Sequence, residues 1–235
     1  MSEFKRPDGR RHEEMRPITV KVGIIPNADG SAMWAFGDTI AVAAAYGPKK
    51  MHPQHAQDPK KCVLRCEYNM ISFSVNERIK PGTNRRSTEI SKVTEWALEP
   101  VLMLDKFPNS VIDVYIGIIQ ANASTRCAGI NAAALALAQA GIPMKSLVSS
   151  VSIGKLDKEL VVDVSKAEED WEEGEGPTDI PITLTPDGRV THMQLDGKIS
   201  KEQLKEALEM ARKASKKIHE LQSEALKNSV EGKNA

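Results

Sequence analysis

Between residues 110 and 141 the chain reads SVIDVYIGIIQ, then ANASTR, then CAGINAAALALAQAG, and no other stretch constrains the fold as tightly. Ile112, Val114, Ile116 and Ile118 fall on one side of an extended strand. The alanine-rich run from Cys127 to Ala140 follows as a helix, stopped by Gly141 with Pro143 just beyond. A strand feeding a helix this directly leaves the first backbone N–H groups of the helix without intrahelical partners. Ser124, Thr125 and Arg126 stand at that junction. A hydroxyl there can cap the helix. Equally, two hydroxyls, a guanidinium and the helix dipole can hold a phosphate. This segment alone supports both readings.

The surrounding chain supplies partners for that unit. PITVKVGIIP (17–26) and TIAVAAAY (39–46) read as strands, with NADGSAMWAFGD between them as turn. Residues 48–61 are Pro-rich and polar, hence a loop, and CVLRCEYNMISFSV is a strand pair or one bent strand. Ile90, Val93, Ala97, Leu98 and Val101 recur at helical spacing. In the second half, SSVSIGKLDKELVVDVS reads as two strands turning at Lys155–Lys158, and ITLTPDGRVTHMQLDG as a hairpin through Pro186-Asp187-Gly188. A long amphipathic helix closes the chain. Ser200 and Gln203 form its capping box, and Leu204, Leu208, Ala211, Ile218, Leu221 and Ala225 its apolar stripe. Strands then helix, twice over, predict a single α+β domain spanning 1–235, with an N-terminal basic arm over 1–16 and a flexible tail over 228–235.

Charge narrows the function. The 32 basic and 32 acidic side chains cancel, so bulk charge cannot hold a polyanion and local clusters must do so. One cluster is Lys5, Arg6, Arg10, Arg11 and Arg16; the other is Arg78, Lys80, Arg85 and Arg86. Opposite in sign is AEEDWEEGEGPTD, with seven carboxylates from Glu168 to Asp179. Aromatic content of 4% argues against a long base-stacking platform. The N-terminus lacks the apolar core of a secretory signal, and three cysteines do not make a disulfide framework, which together predict a cytoplasmic protein without a membrane span.

Adjacent Arg85 and Arg86, in a Pro/Gly loop before a helix, can grip successive phosphates or be an ordinary solvated loop. Asp179 ends the acidic run and opens IPITL; its neighbours favour a raised pKa suited to a general acid, or a magnesium site, or only a solvated acidic loop. His52, His55, Cys62 and Cys66 lack usual zinc spacing and read as exposed imidazoles and buried thiols. GxGxxG, Walker A, GxSxG and HExxH motifs are absent.

Taken in order, RPDGRRHEEMRPI, GDT, NERIKPGTNRRSTEISKV, ANASTR and DIPI resemble the RNase PH family, especially its catalytic branch in the archaeal exosome, over roughly residues 5 to 228. The resemblance implies an RNase PH-like fold: two similar β-α halves with mixed sheets, packed helices and a long C-terminal helix. It implies a phosphorolytic 3′→5′ exoribonuclease, in which inorganic phosphate as co-substrate attacks the terminal phosphodiester of single-stranded RNA. Its partners would be an inactive paralogous subunit, alternating with it in a hexameric ring, and an RNA-binding cap subunit. The family's other versions are a homohexameric enzyme trimming tRNA ends and a non-catalytic RNA-binding ring subunit. By resemblance Ser124, Thr125 and Arg126 hold the free phosphate, Arg85 and Arg86 grip the RNA backbone, Arg65 lines the pore and Asp179 is the catalytic aspartate. Asp179 with Asp170 would hold Mg2+. The family has glycine where this chain has Ser124, so a serine here needs either a negative φ or a tolerated strain.

Overall fold

The computed structural model describes residues 6–171 and 176–232. Two sheets sandwich the alanine-rich helix. The first is built from β1 (Ile18–Val22), β2 (Gly30–Phe36), β3 (Thr39–Lys50), β4 (Val63–Met70) and β5 (Ser110–Gln120), in the order β1-β2-β3-β5-β4. Helix α1 (Arg85–Leu98) connects β4 to β5, which pair in parallel, while the other pairs are antiparallel. Helix α2 (Thr125–Gln139) then leads to the second, antiparallel sheet. That sheet contains β6 (Ser149–Leu156), β7 (Glu159–Val162), β8 (Thr178–Leu184) and β9 (Val190–Met193), ordered β7-β6-β8-β9. A short helix α3 (Lys166–Glu169) follows β7, and α4 (Lys201–Val230) closes the chain.

Small side chains let α2 lie between the sheets. Every residue from Cys127 to Leu137 is buried, the pattern of a helix covered on all sides. At its tightest approach, a Cβ on Gly30 of β2 would lie 2.2 Å from the Ala136 carbonyl oxygen, so only glycine fits. Ile112, Val114, Ile116 and Ile118 are buried as the alternation requires. So are Ile90, Val93, Ala97, Leu98 and Val101 on and just after α1. The α1 and α4 capping boxes form through Asn84/Ser87 and Ser200/Gln203.

Four expectations need correction. GSAMWAF is strand β2 rather than turn: six of its seven positions are buried, so it lacks the alternation of a half-exposed strand. Strand β3 runs on to Lys50, into the stretch expected as loop. Leu221 lies at the exposed edge of α4; Ala207, Met210, Ala214 and Gln222 complete its buried face instead. The expected tail from 228 is still helical to Val230, and 233–235 lie outside the described residues.

The N-terminal basic cluster is also not a free polyanion grip. Arg6 and Arg16 are buried: Arg6 Nε meets Glu168 at 2.6 Å, and Arg16 forks onto both carboxylate oxygens of Asp163 at 2.6 and 2.9 Å. Arg10 joins the same acids at 3.4 Å. Their partners lie about 150 residues downstream, where no local pattern reveals them. Lys5 and the acidic residues 172–175 lie outside the described residues.

Candidate active site

The first turns of α1 and α2 carry arginines where helices normally carry acids. Arg85 and Arg86 are the first two residues of α1, exposed behind the Asn84 cap; Arg126 is the second of α2, and neither first turn contains an acid. A cation at the positive end of a helix costs about 0.3–1 kcal/mol, a conflict that a bound anion removes.

Ser124 answers the question raised by its missing glycine. It takes φ 53°, in the left-handed region, directly after Ala123 at φ 54°. Its hydroxyl makes no cap bond. Instead it donates to the Val164 carbonyl at 2.9 Å and lies 2.7 Å from Ser152 Oγ, tying the junction to the second sheet. A left-handed residue followed by a helical one turns successive N–H groups toward one concavity, the arrangement that binds anions. The Ser124 hydroxyl therefore does not cap the helix, and the turn has the shape of an anion cradle. Beneath it, Arg16 Nη1 donates to the Asn122 carbonyl at 2.6 Å, and Thr39 Oγ1 donates to the Asn122 and Ala123 carbonyls, both at 2.8 Å.

Thr125 is buried, and its Oγ1 accepts from the Tyr68 hydroxyl at 2.9 Å, leaving its own O–H to donate elsewhere. Burial pushes the Tyr68 phenol up, opposed by the Thr125 bond and by the charges of Arg86 and Arg126. Those two charges reach Tyr68 from two different helices.

Asp179 faces the same charges. It is the second residue of β8, opposite Gly154 of β6, while Ser152 pairs with Pro181 two residues along. Asp179 thus shares a sheet face with Ser152, which meets Ser124. Burial, with the Glu169 charge second, raises its pKa to about 6; Arg126 and Arg86 oppose the rise and Asp196 adds to it. Its Oδ1 is buried without a hydrogen-bond partner. Arg86, Arg126 and Asp179 are therefore one electrostatic group, assembled from α1, α2 and β8.

Two expected residues stand elsewhere. Arg65 lies on the opposite face of β4 from Tyr68, where Asp113 takes it at 2.6 and 3.0 Å and also takes Lys49 at 2.7 Å. Asp170 is on the surface, with Lys166 Nζ at 2.7 Å; the acids whose charge reaches Asp179 are Glu169 and Asp196. Among the described residues no group of three or more His, Cys, Asp or Glu could hold a metal ion. The orphaned Asp179 oxygen fits a magnesium ion that takes one carboxylate and completes its shell with phosphate oxygens and water. Cys62 and Cys66 are buried, and His52 and His55 exposed, so no zinc tetrad forms. Tyr68 and Gln194, which bond Thr125 and Arg126, are neighbours of the candidate site that motif reading misses: one looks like any strand aromatic, and the other carries no periodic signal.

Family comparison decides what this geometry belongs to. Residues 14–143 match the family model described as 3′ exoribonuclease family, domain 1, and residues 146–214 match domain 2. The chain belongs to the RNase PH family of 3′ exoribonucleases. Among relatives in that family, the exosome complex component Rrp41 of Thermococcus kodakarensis is 50% identical over 95% of this chain and 88% of its own length. The Pyrococcus furiosus Rrp41 is 49% identical over the same shares. The RNase PH-like fold is shared with rice (Oryza sativa) Rrp46, at TM-score 0.82 and 26% identity, covering 94% of this chain and all of that one. A subunit of the Archaeoglobus fulgidus exosome, solved with RNA bound to the active site, matches in fold at TM-score 0.79 and 22% identity, covering 92% of each chain. No helix among the described residues is long and apolar enough to cross a membrane.

Proposed function

We propose that this RNase PH-family chain is the phosphorolytic subunit of an exosome ring, using inorganic phosphate to release nucleoside diphosphates from the 3′ end of single-stranded RNA. The observation that carries the reading is that the charges of Arg86 and Arg126, in the first turns of two helices, both act on the Asp179 carboxyl. Phosphorolysis brings one anion against another, so positive charge must be in place on both before reaction. The left-handed turn at Ser124, the Thr125 hydroxyl and Arg126 hold the free phosphate; Arg85 and Arg86 hold the diester in line with it. A phosphate oxygen attacks the terminal phosphorus, the bond from phosphorus to the 3′-oxygen breaks, and that oxygen takes a proton. With a pKa near 6, Asp179 carries a proton often enough near neutrality to supply it. Alternatively, an ionised Asp179 would hold magnesium, which would stabilise the same oxygen as a Lewis acid in place of the proton. Arg65 lies along the RNA path in this reading, held by the Asp113 fork and by the bond from its other Nη to the His52 carbonyl at 3.4 Å.

The partners in this reading are an inactive RNase PH-like paralogue, alternating in a hexameric ring, and an RNA-binding cap subunit. The roughly 50% identity to archaeal Rrp41 exosome components favours that ring over a homohexameric tRNA-trimming enzyme. Three free, buried cysteines suit the cytoplasm. The test is ADP release from poly(A), by the chain alone and with its ring partner, with and without phosphate. Phosphate-dependent release is expected. Asp179→Asn should abolish turnover while RNA still binds, which a non-catalytic subunit would not show. Release without phosphate, or full turnover in Asp179→Asn, refutes the reading.

A further inference from the structure

Gln194 follows β9 and reaches between the two helix N-termini. Its amide oxygen accepts from Arg126 Nη1, and its Nε2 donates to Glu89 Oε1 at 2.9 Å. The backbone beneath is fixed, since Gln194 N–H donates to the Pro181 carbonyl at 3.1 Å, two residues from Asp179 on β8. Glu89 belongs to α1, the helix that begins with Arg85 and Arg86.

The two ends of this amide are not interchangeable. A guanidinium offers only donors and an ionised carboxylate only acceptors, so the oxygen must face Arg126 and the nitrogen Glu89. Glu89 thereby orients Gln194, and Gln194 orients Arg126. A neutral acceptor has a further merit beside a phosphate-binding arginine: it steers the guanidinium without cancelling its charge. A carboxylate in its place would compete with phosphate as the partner of Arg126 and would repel Glu89. With one Nη held, Nε and the second Nη form the fork that a phosphate takes bidentately.

We infer that Gln194, oriented by Glu89, is a positioning residue that aims Arg126 at inorganic phosphate and straps the phosphate arginine of α2 to the arginine-bearing end of α1. The inference rests on the functional reading above and extends it to residues that touch neither RNA nor phosphate.

The test is steady-state phosphorolysis of an oligoadenylate by the assembled ring, varying phosphate and RNA separately. Gln194→Ala should raise the KM for phosphate on the order of tenfold, as expected for losing one hydrogen bond to a charged group. The KM for RNA and kcat at saturating phosphate should stay within about twofold, since the diester grip and Asp179 are untouched. Glu89→Ala, on an exposed side chain, should move the phosphate KM in the same direction and keeps the question answerable if Gln194→Ala folds poorly. The double variant should be no worse than Gln194→Ala, because the two residues act as one unit. Gln194→Glu should be worse than Gln194→Ala. An unchanged phosphate KM in both single variants overturns the inference. So does a parallel loss in phosphate KM, RNA KM and kcat, which marks a packing role only. A wild-type ring without phosphate dependence refutes the functional reading itself, and shows this before any variant is made.

Discussion

Replacing Asp179 by asparagine should make the protein more stable while removing its activity. The carboxyl has its pKa moved from 3.8 to about 6, chiefly by burial. Between those values the folded chain binds more protons than the unfolded one, so stability falls as pH rises through that window. The ionised carboxylate therefore works against folding at neutral pH. Two pH units at 1.36 kcal/mol each set the burden at about 3 kcal/mol. Asparagine cannot ionise and avoids it, but leaves an amide where Oδ1 already lacks a partner, at a cost of about 1 kcal/mol. The net gain is about 2 kcal/mol at pH 7.5, or roughly 4–8 °C in Tm for a chain of this size. Thermal or urea denaturation of wild type and Asp179→Asn at pH 7.5 and pH 4 measures it. At pH 4 the wild-type carboxyl is protonated in the folded chain and the advantage should disappear. Equal stability at pH 7.5, or an advantage that persists at pH 4, would refute the reasoning.

Three further outcomes are expected. Ser124→Ala loses the bonds to Val164 and Ser152 and keeps the left-handed strain, whereas Ser124→Gly loses the bonds but relieves about 1–2 kcal/mol of strain; denaturation should place the alanine variant about 1 kcal/mol or more below the glycine one. Arg6→Ala strands the buried Glu168 carboxylate, whose pKa is held down by the Arg6 bond against burial, and should cost about 3–5 kcal/mol in urea unfolding at pH 7. That cost shrinks as pH falls through the Glu168 pKa and the carboxyl protonates. Tyr68→Phe frees the Thr125 hydroxyl from its donor and should raise the phosphate KM by about threefold to tenfold, read in the same kinetic assay.

Local physics made much of this legible. Alternation along Ile112–Ile118 announces β5, and the Ser200 box marks a helix start that the backbone bears out, whereas the Asn84 box of α1 shows only in the structure. The strand-to-helix junction at 120–126 is visible for the same reason, because a strand, a break and a helix each have a period. What stays hidden is what depends on contacts across the chain. Strand β2 is buried on both faces and opens with a glycine that reads as turn, although α2 is what requires it. Arg6 and Arg16 look like free charges because Glu168 and Asp163 are remote in sequence. Gln194 has no pattern at all; its meaning exists only once α1 and α2 are side by side. Even Ser124, visible at the strand-to-helix junction, is tied in place through Ser152 and Val164, which the local sequence does not show.

The Arg16 fork on Asp163 has a consequence for how the protein comes into being. The guanidinium that props up the loop at Asn122 and Ala123 belongs to one of the first segments synthesised, yet its own anchor is 147 residues later. Until a ribosome has delivered Asp163 and Glu168, the early arginines have no buried carboxylates to close upon, and the turn at Asn122 and Ala123 lacks its floor. The first half alone carries every strand of the first sheet but not the anchor of the turn at Asn122 and Ala123. On the functional reading proposed above, phosphate binding would thus be completed late in synthesis, once Asp163 holds Arg16 beneath the turn at Asn122 and Ala123.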